Sequence, residues 1–300
     1  MTDTTVGFVG LGIMGLPMAK NLLDAGYPVV GHNRSREPVD ELIEYGGEGA
    51  DTAAEAAERV DVVVTCLPDT DAVETVMRED GGIMEGLSGG ETVVDCSTIS
   101  PSATEELAAD LGEMDVTTLD APISGGEEGA IAGTLSIMVG GDEATLDEHR
   151  GIFEAMGGTI THCGPNGAGQ VAKACNQVVV ANTMEAVSEA LVLAGKAGAD
   201  VEAVVEAISG GAAGCWTLDN RAPDMIRGEF EPGFFASYQY KDLRIATGAG
   251  EEFGAPMPIT QVTHDMYKTM EETGMGRDDT SGVLQVVEMM AGEEVRADGE

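Results

Sequence analysis

Basic side chains are scarce in this chain. Fifteen Lys and Arg stand against 54 Asp and Glu, which gives a formal net charge of −39 over 300 residues. That balance excludes nucleic acid and an anionic membrane surface as partners, since both are held through Lys and Arg. It predicts a cytoplasm of high salt, where an acidic surface stays solvated and a Debye length of about 3 Å at 1 M mutes its self-repulsion. Lys is the rarer cation, with five against ten Arg. Cysteines are few, odd in number and scattered: Cys66, Cys96, Cys163, Cys175 and Cys215, with no C-x-x-C pair. This excludes a disulfide framework and a zinc site, and predicts buried thiols in a reducing compartment. The four His form no H-x-x-x-H pattern, so no metal is expected. No apolar run reads as long enough to span a membrane, and Met1–Thr5 carries no positive region, so the expected location is cytoplasmic.

A dinucleotide fingerprint stands near the start. Gly10-Leu11-Gly12-Ile13-Met14-Gly15 follows the apolar run Val6–Val9 and precedes the helix-prone Leu16–Ala25. Strand, Gly-rich turn and helix in this order are the context the fingerprint requires. Gly10 allows the tight turn, Gly12 lets backbone N–H groups approach a pyrophosphate, and Gly15 lets helix pack on strand. Ile13 and Met14, within the turn, are counted with the cofactor residues, and the helix N-terminus faces the phosphates with partial positive charge.

Alternating strand and helix signals fill the first half. Strands are predicted at Val6–Gly10, Pro28–His32, Val60–Cys66, Thr92–Cys96, Val116–Asp120, Leu135–Gly140 and Thr159–Cys163. Helices are predicted at Glu37–Tyr45, Asp71–Met77, Ser102–Leu111 and Glu143–Met156. Such alternation implies an α/β domain with a parallel sheet covered on both faces. At Gly164-Pro165-Asn166-Gly167-Ala168-Gly169 the texture changes, and Gln170–Ala197 reads as one long helix. Its stretch Val178–Ala181 is apolar all round, which suits burial between domains. Further helices are predicted at Val201–Ile208, Cys215–Ile226, Asp242–Phe253, Ile259–Glu272 and Thr280–Met290, with Glu293–Glu300 frayed. Two domains follow: a dinucleotide-binding unit, 1–163, and an all-helical substrate or oligomerisation unit, 164–300.

The second strand should end on an acid that binds the ribose 2′-OH of NAD. The segment here is His32-Asn33-Arg34-Ser35-Arg36, with no acid. Asn33, Arg34, Ser35 and Arg36 offer donors and two cations for a 2′-phosphate, which favours NADP while leaving NAD possible. Leu67 and Pro68, just past the third strand, are counted with the cofactor residues. Lys173 and Asn176 lie three apart and share a helical face. Lys173 sits among small apolar residues, where desolvation lowers a lysine pKa and suits a proton donor working near neutrality. Asp120–Gly126 leaves a strand end, where ligands of open sheets bind. Ser124 O–H and the Gly125 and Gly126 N–H groups could hold a carboxylate there, or form only a Gly-rich loop. Thr98 ends another strand. Asp242, near the start of a late helix, could cap it or form a salt bridge, and Lys241 could reach an anionic substrate. Trp216, Phe234, Phe235 and Tyr238 read equally as pocket wall or as core.

Together these stretches, with Gly133–Gly141, Glu185–Leu191 and Lys241-Asp242-Leu243, resemble the β-hydroxyacid dehydrogenase family from about Val6 to Met290. The motifs lie nearest the branch that reduces tartronate semialdehyde (2-hydroxy-3-oxopropionate). The 3-hydroxyisobutyrate dehydrogenases and the glyoxylate/succinic semialdehyde reductases come next. The resemblance implies a Rossmann-type N-terminal domain, an all-α C-terminal domain and a long helix joining them. It implies Lys173 as general acid/base and Ser124, Gly125 and Gly126 as carboxylate binders. Thr98 would stand near cofactor and substrate, Asn176, Phe234 and Asp242 near substrate, and Lys241 near cofactor. Many members carry Asn four residues after the lysine, where this chain has Gln177. The implied reaction is hydride transfer between NADP(H) and a small β-hydroxy acid or its semialdehyde, in a homodimer or homotetramer. The competing reading is a non-catalytic nucleotide-binding module.

Overall fold

The computed structural model describes residues 4–58 and 60–296. Two compact units make up the chain, Met1–Lys173 and Ala174–Glu300. The units part inside the long helix, beyond the 163/164 boundary read from the sequence.

Among the described residues of the first unit, nine strands form one sheet. They are β1 (Val6–Val9), β2 (Val29–His32), β3 (Glu48–Gly49), β4 (Val62–Thr65), β5 (Thr92–Asp95), β6 (Thr117–Asp120), β7 (Ile123–Ser124), β8 (Leu135–Gly140) and β9 (Gly157–Gly164). Helices α1 (Gly15–Asp24), α2 (Arg36–Tyr45), α3 (Ala53–Ala57), α4 (Thr70–Arg78), α5 (Ile83–Gly86), α6 (Pro101–Glu113), α7 (Gly126–Ala132), α8 (Glu143–Glu148) and α9 (Arg150–Met156) lie between them. The strand order is β3-β2-β1-β4-β5-β6-β8-β7, with β9 beside β8. From β3 to β6 every pairing is parallel. The sheet is not wholly parallel, because β8 runs antiparallel to both β6 and β7. Strands β3 and β7 have two residues each, too short for a periodic signal.

The central strands β1, β4 and β5 are buried along their whole length and nearly all apolar because both faces are covered. Along β4, Val62 and Val64 join one core cluster with Phe8, Leu22 and Leu42, while Val63 joins the other with Ala56, Met77 and Leu111. Strands β1, β4 and β5 thus feed two cores by alternation. The predicted helix Glu143–Met156 is broken at His149 into α8 and α9.

The second unit is helical: the body of α10 (Ala168–Lys196), then α11 (Val201–Ser209), α12 (Trp216–Asn220), α13 (Ala222–Arg227), α14 (Ala236–Glu252), α15 (Pro258–Glu272) and α16 (Val283–Ala291). Ala181, Met184, Val187 and Leu191 recur at helical spacing along α10 and pack with Tyr267, Met270, Val283 and Leu284. By length and composition α10 could cross a membrane, contrary to the sequence reading, but its periodic apolar face lies in this core. Nor is it buried all round, since Val179 is 65% exposed and Leu193 71%. The predicted helix Cys215–Ile226 divides at Arg221, two residues before Pro223, which has no N–H to give the Asp219 carbonyl in a continuous helix. Helix α14 begins at Ala236, so Asp242 lies within it and does not cap it. Residues 293–296 are not frayed: Val295 is buried and Arg296 pairs with Glu288. The rest of the expected tail, 297–300, lies outside the described residues. Of the five thiols Cys96 is buried, whereas Cys163 and Cys175 are exposed, against the expectation of buried thiols throughout.

Candidate active site

The strand order reverses between β1 and β4, and chain segments leaving these strands diverge there. Such a switch point opens a crevice at the carboxyl ends of the strands. The turn Gly10–Gly15 leaves β1 at this place. Gly10 has φ +100°, and a Cβ on it would stand 2.3 Å from the Cys66 carbonyl oxygen. A Cβ on Gly15 would stand 1.9 Å from the Gly10 carbonyl oxygen. A Cβ on Gly12 would meet nothing within 4 Å. Two glycines are therefore required by the chain's own packing, and the third faces open space beside the N-terminus of α1. That is the cradle a pyrophosphate needs. Gly12, Ile13, Leu16 and Lys20 line a groove of about 560 Å³. Met14 precedes the first residue of α1.

The end of β2 is tied to this turn. Gly10 N–H donates to the His32 carbonyl at 3.0 Å, and Leu11 N–H donates to Asn33 Oδ1 at 3.1 Å. Asn33 Nδ2 donates to Ser35 Oγ at 2.8 Å. Asn33 and Ser35 are thus brought together beside the Gly-rich turn. Arg34 is exposed and carries no ion pair among the described residues. Arg36 is not a second available cation, because it opens α2 and pairs with Asp40 at 2.7 Å and Asp51 at 3.1 Å. Of the two arginines at the end of β2, only Arg36 is therefore engaged in ion pairs among the described residues.

Leu67 and Pro68 follow β4, and Thr98 follows β5. Leu67 N–H donates to Ser97 Oγ at 2.9 Å, which holds the two segments together. Ser124 ends β7, opposite Ser136 of β8. Gly125, with φ +143°, then turns the chain directly into α7 at Gly126, so this is a strand-to-helix turn and not a loose loop. Lys173 is 6% exposed, which leaves its stem and amine largely out of water. Cys96, beside this region, is pushed well up by burial and packs as a protonated thiol.

In the second unit four side chains named from the sequence form one string. Asn176 Nδ2 donates to Gln177 Oε1 at 2.7 Å, and Gln177 Nε2 donates to Asp242 Oδ2 at 2.7 Å. Lys241 Nζ pairs with Asp242 Oδ1 at 3.0 Å. Gln177, the departure from the family pattern, is the link that joins Asn176 to Asp242. Gln239, unremarked in the sequence, packs into the string with its Oε1 3.4 Å from Gln177 Nε2. Its own Nε2 is a buried donor with no partner among the described residues. Phe234 stands apart from the string: its N–H donates to Asp279 Oδ2 at 3.2 Å, and its ring lies 6.0 Å from that of Tyr238. Trp216 and Tyr238 are 61% and 42% exposed, so these two are not core.

A polar cavity of about 410 Å³ lies at the other ends of the strands, lined by Asp61, Glu91, Thr92 and His149. Ligands of open α/β sheets bind beyond the carboxyl ends, so this cavity is not the catalytic crevice. Among the described residues no group of three His, Cys, Asp or Glu could hold a metal.

Comparison with known proteins fits this arrangement. Residues 5–164 match the family model for the NAD-binding domain of 6-phosphogluconate dehydrogenase. Residues 167–287 match that for the NAD-binding domain of NADP-dependent 3-hydroxyisobutyrate dehydrogenase. The 2-hydroxy-3-oxopropionate reductase of Escherichia coli K12 is 42% identical over 287 residues, covering 95% of this chain and 98% of that one. The chain belongs to the β-hydroxyacid dehydrogenase family. An NAD-dependent L-serine dehydrogenase of Pseudomonas aeruginosa is 36% identical over 295 residues, covering 96% and 99%. The structure of Mycobacterium tuberculosis 3-hydroxyisobutyrate dehydrogenase with L-serine superposes with a TM-score of 0.89 at 35% identity, covering 95% and 99%. This β-hydroxyacid dehydrogenase is an NAD(P)-dependent oxidoreductase with a Rossmann-type domain followed by a helical one.

Proposed function

We propose that the protein is an NADPH-dependent reductase of a short semialdehyde, with 2-hydroxy-3-oxopropionate as the substrate. The observation that carries the reading is Lys173, a nearly fully buried lysine early in α10, in a chain with only five. The 42% identity to a 2-hydroxy-3-oxopropionate reductase over almost the whole chain supports the substrate. The absence of an acid in 31–36 and the unpaired Arg34 support NADP over NAD. The first unit, Met1–Lys173, would serve most of the cofactor and the substrate carboxylate, and the second, Ala174–Glu300, further substrate contacts and assembly into a dimer or tetramer. The charge of −39 supports a cytoplasm of high salt as the working environment.

A nicotinamide cofactor, when bound, would supply hydride to the substrate. Gly10, Gly12 and Gly15, with the Ile13 and Met14 backbone, would hold its pyrophosphate. Asn33, Arg34 and Ser35 would take the ribose phosphate, and Leu67, Pro68, Thr98 and Lys241 would complete the cofactor contacts. Ser124 O–H and the Gly125 and Gly126 N–H groups would bind the substrate carboxylate. Asn176 and Asp242, tied through Gln177, would orient the substrate, and Phe234 would cover it. Lys173 would give its proton to the carbonyl oxygen, and its charge would stabilise the forming alkoxide.

The test is a turnover assay at molar KCl, with NADPH and NADH for the reductions and NADP+ and NAD+ for the oxidations. It compares tartronate semialdehyde with the oxidation of 3-hydroxyisobutyrate and L-serine and the reduction of glyoxylate and succinic semialdehyde. Tartronate semialdehyde with NADPH should give the highest kcat/KM. Lys173→Ala should abolish turnover while NADPH affinity stays within about twofold, since general acid help alone is worth roughly 10²–10⁴-fold. Near-normal turnover in that variant would refute the mechanism.

A further inference from the structure

Asp120 ends β6 with a fully buried carboxylate. Its Oδ1 accepts the Gly167 N–H at 2.9 Å, and its Oδ2 accepts the Gln170 N–H at 3.0 Å. These are two of the otherwise orphaned donors at the start of α10, so a side chain from the sheet caps the helix that carries Lys173. The approach is close. A Cβ on Gly169 would stand 2.7 Å from Asp120 Oδ2, and one on Gly140 would stand 2.5 Å from Oδ1.

The Gln170 side chain, 1% exposed, extends from the helix to the segment after β5. Its Nε2 donates to the Ser97 carbonyl at 2.8 Å, and its Oε1 accepts the Ile99 N–H at 3.1 Å. One amide therefore grips the backbone on both sides of Thr98. Ser97 is held in turn, with its N–H donating to Asp95 Oδ1 at 3.1 Å and its Oγ accepting from Leu67 N–H. Thr65 Oγ1 donates to the same Asp95 oxygen at 2.7 Å. Gln170 and Lys173 lie three residues apart, on one face of α10.

We infer that Gln170 is a positioning residue that sets the separation between Thr98 and Lys173. It touches no reacting atom. It locks the segment that borders cofactor and substrate to the helix that delivers the proton. Hydride and proton must reach the two ends of one carbonyl, so a displacement of about 1 Å between the groups that present them can cost as much as 10²-fold in rate. Asp120 fixes the helix, and Gln170 fixes the Thr98 segment to it. This rests on the reading of Lys173 as proton donor.

The test is single-turnover hydride transfer, with NADPH pre-bound and tartronate semialdehyde added at molar KCl. In this measurement the amplitude counts folded, competent enzyme, and the rate constant reports positioning. Gln170→Met keeps the volume and removes both hydrogen bonds, and Gln170→Ala removes the side chain. Both should lower the rate constant tenfold or more at unchanged amplitude. The deuterium isotope effect with 4-deuterated NADPH should rise or stay at its limiting value. Should Gln170→Ala fail to fold, Gln170→Met carries the test. A lower amplitude with a wild-type rate constant would mark a merely structural role and overturn the inference, as would no change in either. Those results leave the reading of Lys173 intact, whereas turnover in Lys173→Ala refutes that reading by itself.

Discussion

Each unit buries a carboxyl group, and the two fare differently. In the sheet-bearing unit, Asp120 receives one backbone N–H on each oxygen. Burial pushes its pKa up and those two bonds pull against it. In the helical unit, Glu185 lies on α10 at 7% exposure, and neither oxygen has a hydrogen-bond partner among the described residues. Burial first, then the charge of Glu189, raises its pKa from 4.5 to about 7. A buried carboxyl met by donors becomes a structural device, whereas one met by apolar atoms becomes a proton-binding site that opposes folding when charged.

The largest effect should come from removing the satisfied group. Asp120→Ala strands two buried N–H donors at the start of α10. Each such donor costs roughly 1–3 kcal/mol, so the loss should be about 3 kcal/mol in denaturant unfolding at pH 7 and molar KCl. A loss near zero would mean that water reaches those donors and that the contrast with Glu185 is not real. Glu185 predicts the opposite sign. Its folded-state pKa is raised, so its contribution to stability is intact below about pH 4.5 and is lost as pH rises through about 7. Glu185→Gln should therefore stabilise the protein by roughly 2 kcal/mol at pH 8 and by almost nothing at pH 4, where Glu185 is largely neutral in both the folded and the unfolded chain. Equal pH slopes in the two proteins would place the titration elsewhere. The smallest effect belongs to Glu189→Gln. It removes the lesser cause of the shift, so the midpoint of the stability-versus-pH curve should move down by a few tenths of a pH unit, as read in a series of thermal melts.

What the sequence disclosed follows the same division. The Gly10–Gly15 turn, most of the longer parallel strands and the long helix were legible because each is a local pattern: spaced glycines, runs of valine, an unbroken apolar stretch. The candidate site residues of both units were named through motif resemblance, and of these Asn176, Asp242 and Lys241 meet in one string. The Asp120–Gln170 link was not, because it joins positions fifty residues apart whose partners are backbone groups, and backbone groups leave no trace in composition. The start of α14 was missed for a related reason: Phe235 precedes it without a side-chain cap, so nothing in the letters marks the boundary. Arg36 misled in the other direction. Its scarcity suggested a phosphate ligand, while Asp40, one helical turn on, had already claimed it.

The Gly-rich turn is shaped by two different kinds of selection. Gly10 and Gly15 are demanded by the polypeptide itself, since a methyl group at either would collide with the chain's own carbonyls. Gly12 is not demanded by that packing, because a methyl group there would hang in open space. A descendant that gave up its nucleotide would remain bound to the first and third glycines for as long as it kept the fold. The second carries no such debt to the fold, so a change there would leave the turn's own packing intact.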